Sequence, residues 1–363
     1  MKFSAERETL LAPLHAVMGV VERKQTMPVL ANVLLAARNG RLTITGTDLE
    51  VELVAATSIE LASGETTVPG RKLLDIVKAL PEKITLTFVL EGDKATLKAG
   101  RSRFSLATLP ASDFPTVEDI RAQHTVSLPA PTAQRLLDKT HFSMAQQDVR
   151  YYLNGMLLEL DGKTVRSVAT DGHRLAYCEC VTETGAGTQQ VIIPRKGVLE
   201  LQRLLGAEGL IELLIGSSHV RAQIGDIRFT SKLIDGRFPD YGRVIPAAPG
   251  RLVRAERELL RTALQRAAIL SNEKYRGIRL TLKPNLLQLQ AHNPEQEEAE
   301  EELEVSYDGE EMEIGFNVNY LLDALAAVGS ADVELGFTDS NSSCLVVTPG
   351  DSSAKYVVMP MRL

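Results

Sequence analysis

The sequence of 363 residues contains no long hydrophobic run and few cysteines. Its longest apolar stretches, such as residues 29–37, are short, whereas a membrane span needs about 20 apolar residues. The N-terminus carries the charged residues Lys2, Glu6, Arg7 and Glu8 and lacks the apolar core of a secretory signal, so we expect no signal peptide and no membrane partner. The three cysteines, an odd number that does not fit a disulfide framework, are Cys178, Cys180 and Cys344. We therefore expect a protein of the reducing cytoplasm.

The sequence also has fewer basic than acidic residues. The chain carries 40 Lys and Arg against 47 Asp and Glu, a formal net charge of −7. A surface with that balance repels polyanions overall, so a conventional tight nucleic-acid binder is not expected. With 44% hydrophobic and 24% charged residues, the composition is that of a folded protein. The length predicts roughly two to three domains.

Sequence motifs of common catalytic and cofactor sites are missing. The six histidines are scattered without metal-binding spacing, and no phosphate-binding glycine loop or nucleophile elbow occurs. We therefore predict no metal, no cofactor and no catalytic centre. Asp171 and His173 do provide an acid beside a base, but an Asp-Gly step more often ends a strand in a turn. An enzyme that uses Asp171, His173 and Arg174 is the alternative hypothesis.

The chain does contain a threefold internal repeat. Each copy has an amphipathic helix with a Leu pair, then apolar strands, then a second helix that follows a strand. We predict three α+β domains with the order helix, strands, helix, strands, at residues 1–122, 123–247 and 248–363. Landmarks in the strands before the second helices, 125 and 123 residues apart, are Val68, Ile193 and Phe316.

Charge is segregated between these helices and the rest of the chain. The six helical windows, residues 6–24, 70–80, 132–143, 195–204, 254–270 and 319–328, hold 15 basic and 9 acidic residues. Their net charge of +6 leaves −13 elsewhere. Helices on a common side would give an acidic protein one basic surface for phosphates, although ordinary basic helix faces are the simpler interpretation. Because no base-reading motif is present, any DNA contact should be weak and independent of sequence.

Two segments could form an interface between copies of the chain. One is an acidic run at residues 295–302. The other is a candidate edge strand with Arg101, Arg103, Phe104 and Leu106. Head-to-tail self-association is the expected result.

Several longer motifs match one family in order along the chain. On the segments 45–50, 150–155, 170–175, 235–241, 271–274 and 359–363, the sequence resembles the bacterial DNA polymerase III sliding clamp. The resemblance implies three clamp-fold domains and a head-to-tail homodimer, closing a six-domain ring around double-stranded DNA with helices lining the hole. A basic lining would let phosphates slide past, so that retention is topological. The Met- and Pro-containing C-terminus would suit an adaptable peptide pocket.

The resemblance also implies three sets of site residues. Those implied to contact DNA are Lys24, Arg71, Gln147, Tyr151, Tyr152 and Lys196. Those implied to bind short peptides of the replicative polymerase, the clamp loader and repair proteins are Leu153, Thr170, Gly172, His173, Arg174, Leu175, Pro239, Arg243, Val244, Tyr275, Asn317, Tyr320, Ser343, Val358, Met359, Pro360, Met361 and Arg362. Those implied at the dimer interface are Arg101, Arg103, Phe104, Leu106, Ile269, Leu270, Glu297, Glu298 and Glu301. A third hypothesis is a monomeric three-domain peptide scaffold that does not encircle DNA.

Overall fold

The computed structural model describes residues 1–22, 27–117, 119–182 and 187–362. The first repeat contains β1 (Lys2–Glu6), α1 (Arg7–Val17), β2 (Asn32–Arg38), β3 (Arg41–Thr47), β4 (Val51–Ser58), β5 (Leu61–Ala62), β6 (Gly64–Pro69), α2 (Gly70–Ala79), β7 (Thr85–Glu91), β8 (Lys94–Ala99) and β9 (Ser102–Ala107). The second contains β10 (His124–Pro129), α3 (Ala130–Asp138), β11 (Gly155–Asp161), β12 (Thr164–Thr170), β13 (Arg174–Val181), β14 (Gln189–Pro194), α4 (Arg195–Leu204), β15 (Leu210–Ile215), β16 (His219–Ile224) and β17 (Ile227–Lys232). The third contains β18 (Arg251–Glu256), α5 (Arg257–Ala268), β19 (Gly277–Lys283), β20 (Leu286–His292), β21 (Glu298–Glu304), β22 (Met312–Asn317), α6 (Val318–Ala327), β23 (Asp332–Phe337), β24 (Cys344–Thr348) and β25 (Asp351–Val358).

The threefold repeat is therefore present, but the predicted element order was incomplete. A strand precedes the first helix of every repeat, and these strands are β1, β10 and β18. Each is short and alternates buried and exposed residues; in β1, Phe3 and Ala5 are buried and the other three residues are exposed. Such a short strand is easily mistaken for the first turn of the helix that follows it. The helical window that begins at residue 254 therefore includes Arg254, which lies in β18.

The helices follow the predicted apolar periodicity. In α2, Leu73, Leu74 and Val77 are buried while Arg71 and Lys72 are exposed. Burial of one such aliphatic side chain contributes roughly 1.5–3 kcal/mol. The buried residues of α5, Leu260, Ala263, Leu264, Ala267 and Ala268, pack in the same way into the core of the third repeat.

The strands form four antiparallel sheets that lie in two compact units. Residues 1–133 and 196–233 contain a five-stranded sheet in the order β5-β1-β7-β8-β9 and an eight-stranded sheet in the order β10-β15-β16-β17-β4-β3-β2-β6. Residues 134–195 and 234–363 contain an eight-stranded sheet in the order β14-β11-β12-β13-β25-β24-β23-β18 and a four-stranded sheet in the order β21-β20-β19-β22. Each eight-stranded sheet joins two repeats, through the pairs β4·β17 and β13·β25. The units thus cut across the repeats, and the predicted domain boundaries stay a prediction.

The turn after β3 recurs after β12, which explains why the same Thr-Asp motif appears in both repeats. Asp48 Oδ1 accepts a hydrogen bond from the backbone N–H of Val51 at 2.7 Å. Asp171 Oδ1 accepts one from the backbone N–H of Arg174 at 3.1 Å in the second copy. The carboxylate of Asp171 is therefore part of the turn that leads the chain into β13.

Candidate functional site

A cleft in the second compact unit is lined mostly by apolar side chains. It encloses about 180 Å³ between the ends of strands of the second repeat and the loop that follows β17. Its apolar floor is formed by Leu175 of β13 and Val357 of β25, which are paired neighbours in one sheet. Its lining residues are Arg150, Tyr152, Leu153, Thr170, Gly172, Arg174, Leu175, Phe238, Pro239, Tyr241, Val244, Val357 and Met359. An apolar cleft with a few convergent polar groups is the usual form of a binding site.

Arg174 holds one side of the cleft. Its guanidinium donates to Asp171 Oδ2 at 3.1 Å and to the Phe142 carbonyl at 2.7 Å, and it also pairs with Asp323. The same group lies over the Tyr320 ring at 4.6 Å from the centroid. Each of the three guanidinium nitrogens has a partner, so Arg174 is held in place as part of the cleft wall and is not a free charge.

Arg150 covers another side of the cleft, and its position explains why the residue opposite, at position 172, is a glycine. Asp148 accepts two hydrogen bonds from the Arg150 side chain, at 3.0 Å and 2.8 Å, and these bonds lower the pKa of Asp148 to about 2. A Cβ on Gly172 would lie 2.7 Å from the Arg150 guanidinium. Gly172 also has φ +88°, a left-handed conformation that favours glycine.

A buried carboxylate supports the loop that carries the third wall. Tyr241 donates from its hydroxyl to Glu159 Oε1 at 2.8 Å, and Arg166 donates to the same oxygen at 2.7 Å. Although burial of Glu159 by itself raises its pKa, these bonds and one from Gln190 hold the net pKa below the usual value. Glu159 is therefore held as an anion that fixes Tyr241 in the cleft wall.

The C-terminal segment is fixed beside the cleft by backbone hydrogen bonds. The Met359 N–H donates to the His173 carbonyl at 2.9 Å, and the Met361 N–H donates to the Gly315 carbonyl at 2.8 Å. The Met359 side chain is 40% exposed, so a flexible thioether is presented at the mouth of the cleft.

The cleft brings together part of the peptide-binding set that the sequence predicted. Eight of those residues line it: Leu153, Thr170, Gly172, Arg174, Leu175, Pro239, Val244 and Met359. Five lining residues were not in that set: Arg150, Phe238, Tyr241, Val357 and Tyr152, the last of which was assigned to DNA. The alternation of β25, in which Val357 faces away from Tyr356, was the signal that could have found Val357.

The other predicted peptide-binding residues lie outside this lining. Tyr320 contacts the cleft indirectly by stacking on Arg174, and Val358 is buried opposite Arg174 in the sheet. Asn317 Nδ2 donates to the Tyr275 carbonyl at 3.4 Å. The remainder are exposed or half-buried: His173, Arg243, Ser343, Pro360, Met361 and Arg362.

The residues predicted to contact DNA differ in their surroundings. Lys24 lies outside the described residues. The exposed members are Arg71, Gln147 and Tyr151. Tyr152 is half-buried in the cleft lining, so its ring already has a packing role.

Lys196 is not a free charge in this structure. Its ammonium pairs with the carboxylates of Glu22 and Asp48. Although partial burial opposes ionisation, these two bonds raise the pKa of Lys196 above its ordinary value. A phosphate would have to compete with two carboxylates for this lysine.

The residues predicted at the dimer interface lie on or beside two strand edges and at one helix end. Phe104 and Leu106 lie in β9, Arg103 is exposed on the same strand, and Arg101 precedes it. Ile269, 75% exposed, and Leu270 follow α5. The acidic members are Glu297, which precedes β21, and Glu298 and Glu301, which lie within it. Of these, Glu301 already accepts two bonds from Arg266, each at 2.7 Å.

The arrangement suits binding rather than catalysis. Asp171, the acid of the enzyme hypothesis, accepts hydrogen bonds from the backbone of His173 at 2.9 Å and of Arg174, and it pairs with the Arg174 side chain. Within residues 1–22, 27–117, 119–182 and 187–362, no group of three or more His, Cys, Asp or Glu side chains is placed to hold a metal ion. In the same residues, no helix is long and apolar enough to cross a membrane.

Three repeats of one α+β unit, joined through shared sheets, define the DNA sliding clamp class. Sequence profiles of the DNA polymerase III beta subunit match in chain order: the N-terminal domain at residues 1–118, the central domain at 127–240 and the C-terminal domain at 242–362. The chain is 56% identical to the beta sliding clamp of Pseudomonas aeruginosa and 52% identical to that of Escherichia coli, with all of each chain covered. A crystal structure of the Pseudomonas aeruginosa beta subunit matches with a TM-score of 0.98 at 55% identity over the full length of both chains.

The chain belongs to the DNA polymerase III beta subunit family of sliding clamps. It is a non-catalytic processivity factor, which confirms the predicted fold class and function and makes the enzyme hypothesis wrong. DNA, the polymerase and a second copy of the chain are its partners.

Proposed function

We propose that two copies pair β9 of one chain with β21 of the other and so close a six-domain ring around duplex DNA. The repeat itself carries this proposal. In the first repeat β4 pairs with β17, the last strand of the second repeat. In the second repeat the equivalent strand, β13, pairs with β25, the last strand of the third. By the same rule β21 should pair with β9, the last strand of the first repeat.

The outer edges of β9 and β21 agree with this rule. Among the described residues, β9 pairs only with β8 and β21 only with β20, and both strands end their sheets. An unpaired edge strand is a template for pairing with another chain. Charge also favours this partner, because the exposed residues of β21 are glutamates and β9 carries Arg103.

The two existing junctions also supply a register for the third. Leu53 lies opposite Phe229, and Ala176 lies opposite Tyr356. In the first repeat, the equivalent of Phe229 and Tyr356 is Phe104. Within the chain, Leu53 and Ala176 each pair with the next-to-last residue of the strand that precedes their own, β3 or β12. In the third repeat the residue that pairs with the next-to-last residue of β20 is Ala299, so Ala299 is the expected partner of Phe104.

This register keeps each side chain on the correct face. Phe104 and Ala299 are both half-buried, whereas a slip of one residue would place the ring opposite an exposed glutamate. On the other face, Arg103 lies opposite Glu300 with Glu298 two residues away. Such cross-strand charge pairs contribute about 0.2–1 kcal/mol each, and the apolar end of α5 at Ile269 and Leu270 adds buried area.

A ring explains how an acidic protein works on DNA. The net charge of −7 opposes adsorption of DNA to the outside, whereas the helical segments are net basic. Encirclement holds the DNA without tight contacts, so the chain can slide. We expect salt to weaken direct contacts by counterion release while leaving encirclement of circular DNA intact.

The cleft of the second compact unit is the proposed tether for partner proteins. An extended peptide with apolar anchors would enter between Leu175, Val244 and Pro239, and the Met359 side chain would adjust to it. The clamp loader and repair proteins would use the same cleft as the polymerase, in the cytoplasm.

Reversal of charge at the β9 edge tests the proposed ring. Arg103→Glu should increase the rate of subunit exchange between fluorescently labelled dimers several-fold, because like charges then oppose each other across the strands. Adding Glu298→Arg and Glu300→Arg should restore slow exchange. The matched control, Arg103→Glu with Glu301→Arg, should not, because Glu301 lies on the opposite face. Equal exchange in all four proteins would contradict the register.

A further inference from the structure

The junction between the first and second repeats is built like the junction that carries the cleft. In each, a Thr-Asp turn leads into the strand that pairs with the next repeat. Thr47 Oγ1 accepts a hydrogen bond from the Leu49 N–H at 3.1 Å, and Thr170 Oγ1 accepts one from the Gly172 N–H at 3.1 Å. Leu49 also has a left-handed backbone, with φ +76° against +88° for Gly172. The two junctions can therefore be compared residue by residue.

The floors of the two junctions differ in chemistry. Leu175 and Val357 form the apolar floor of the cleft and lie opposite each other in the sheet. At the same register, five residues after the threonine of the turn, the first junction has Glu52, and its partner across the strands is Thr230. Glu52 is 2% exposed, so a carboxylate is buried where the cleft has a leucine.

The linker between the first two repeats lies on this carboxylate. The Val117 N–H donates to Glu52 Oε2 at 2.8 Å, and the Arg228 guanidinium lies 3.8 Å from Oε1. Arg221 of β16 also faces Glu52, and its guanidinium lies 3.8 Å from Asp119 of the linker. Burial raises the pKa of Glu52, although the bond from Val117 and the charges of Arg228 and Arg221 oppose this rise. Since a buried carboxylate needs such partners, Glu52 and the linker stabilise each other.

The loops that follow the last strands of the first and second repeats can be aligned. Each carries a Phe-Pro motif, at residues 114–115 and 238–239, and both phenylalanines are buried. Two residues after the proline stand Val117 in the first loop and Tyr241 in the second. Val117 and Tyr241 are therefore counterparts, although Val117 binds the floor of its junction and Tyr241 forms a wall of the cleft.

A carboxylate on a different strand explains why the second loop stays aside. Tyr241 donates from its hydroxyl to Glu159, which lies in β11 opposite Arg166. At the same register, eleven residues before the threonine of the turn, the first repeat has Ala36 in β2, opposite Thr43. An alanine side chain cannot accept a hydrogen bond. The position of one carboxylate thus decides whether the loop forms a wall, as in the cleft, or lies on the floor.

We propose that the first junction is a second peptide groove that the chain keeps closed with its own linker, held there by the Glu52 carboxylate. The proposal rests on the proposed function of the cleft, because it treats the cleft as the open form of the same groove. When the carboxylate is removed, the linker leaves the floor, and an extended peptide with apolar anchors takes its place. Glu52 therefore confines partner peptides to the second junction.

Amide hydrogen exchange of the full-length protein tests the role of Glu52. Glu52→Leu should make the Val117 amide exchange about tenfold faster than in the parent, because a hydrogen bond to a charged acceptor is lost. Glu52→Gln keeps the shape and an acceptor oxygen, and it should raise the rate about threefold without disturbing the fold. Glu50→Leu, which removes an exposed carboxylate from the turn before β4, is the matched control and should leave the rate unchanged. Exchange at the parent rate in both Glu52 variants would overturn the proposal.

Titration of a labelled polymerase peptide tests the groove itself. The full-length parent should bind one peptide per chain, and full-length Glu52→Leu should bind two. Removal of residues 359–363 should abolish binding by the parent but leave one peptide bound per chain of Glu52→Leu. One peptide per chain in full-length Glu52→Leu, despite fast exchange at Val117, would overturn the groove. Failure of the full-length parent to bind any peptide would instead contradict the proposed function of the cleft, and the exchange rates would still decide the role of Glu52.

Discussion

A single side chain, Arg174, connects the turn after β12, the helix α6 and the cleft. Its partners are a turn carboxylate, a loop carbonyl, the Asp323 carboxylate and two aromatic rings, Phe142 and Tyr320. Because guanidinium is planar and offers several donors, one residue can orient all of these at once. The position of the cleft wall thus depends on the shape of this group and not only on its charge.

Replacing Arg174 with lysine should therefore damage both stability and binding. Arg174→Lys keeps the charge but cannot form the fork, and we expect a loss of about 1–3 kcal/mol and several-fold weaker binding of a partner peptide. Arg254→Lys is the control, because Arg254 lies in β18 outside the cleft lining, its side chain is 55% exposed, and its pair with Asp332 contributes little. Thermal unfolding and fluorescence titration of a labelled peptide measure the two effects. Similar results for both variants would contradict the role of Arg174.

Tyr241→Phe tests the support of the cleft wall by Glu159. The ring stays, but Glu159 loses a donor, which costs about 1–2 kcal/mol at neutral pH. The folded-state pKa of Glu159 is lowered, so its contribution is present above the unfolded pKa and is lost as pH falls through the folded pKa. The variant should therefore differ from the parent at pH 7 and converge with it as the pH falls through the lowered pKa of Glu159. A stability difference that does not change with pH would exclude this mechanism.

At the scale of elements, the sequence predicts what depends on local pattern. The apolar faces of α2 and α5 follow from their 3.6-residue period, and the charge of Arg101 and Arg103 marks β9 as an edge. The strands β1, β10 and β18 were missed because five or six alternating residues beside a helix give a weak signal.

Local sequence patterns predict the cleft less well, because segments that are distant in the sequence form it. Phe238 and Val357 line it from segments more than 100 residues apart, and no spacing rule links them. Family resemblance supplied Pro239 and Met359, but it did not supply Arg150, whose role depends on the glycine that it covers at position 172.

The C-terminal segment is the element whose removal should separate binding from assembly. Deletion of residues 359–363 removes Met359 from the cleft and two backbone hydrogen bonds, while β25 ends at Val358 and keeps its pairs. We expect loss of peptide binding with an unchanged dimer mass. A labelled partner peptide titrated against both proteins measures the first effect, and light scattering measures the second. Equal peptide affinity would refute the assignment of this segment.

At the scale of the whole molecule, the proposed pairing of β9 with β21 extends to the assembly a rule that the single chain already follows. Within a chain the rule is satisfied at β4·β17 and β13·β25, and among the described residues β21 and β9 each keep one unpaired edge. A second copy has the same two edges, so two chains can satisfy both by a head-to-tail closure. In the ring, strand pairing between the chains thus repeats the strand pairing that joins the repeats within one chain.

The apolar contact beside that junction should decide whether the ring persists. Ile269 is 75% exposed in the single chain and Leu270 is half-buried, which leaves aliphatic surface for a partner to cover. Ile269→Ala with Leu270→Ala at both junctions should cost roughly 4 kcal/mol or more per junction and yield monomers at micromolar concentration. Leu259→Ala, an exposed aliphatic at the start of the same helix, is the matched control and should remain dimeric. Light scattering that reports twice the chain mass for the double variant would show that the junction lies elsewhere.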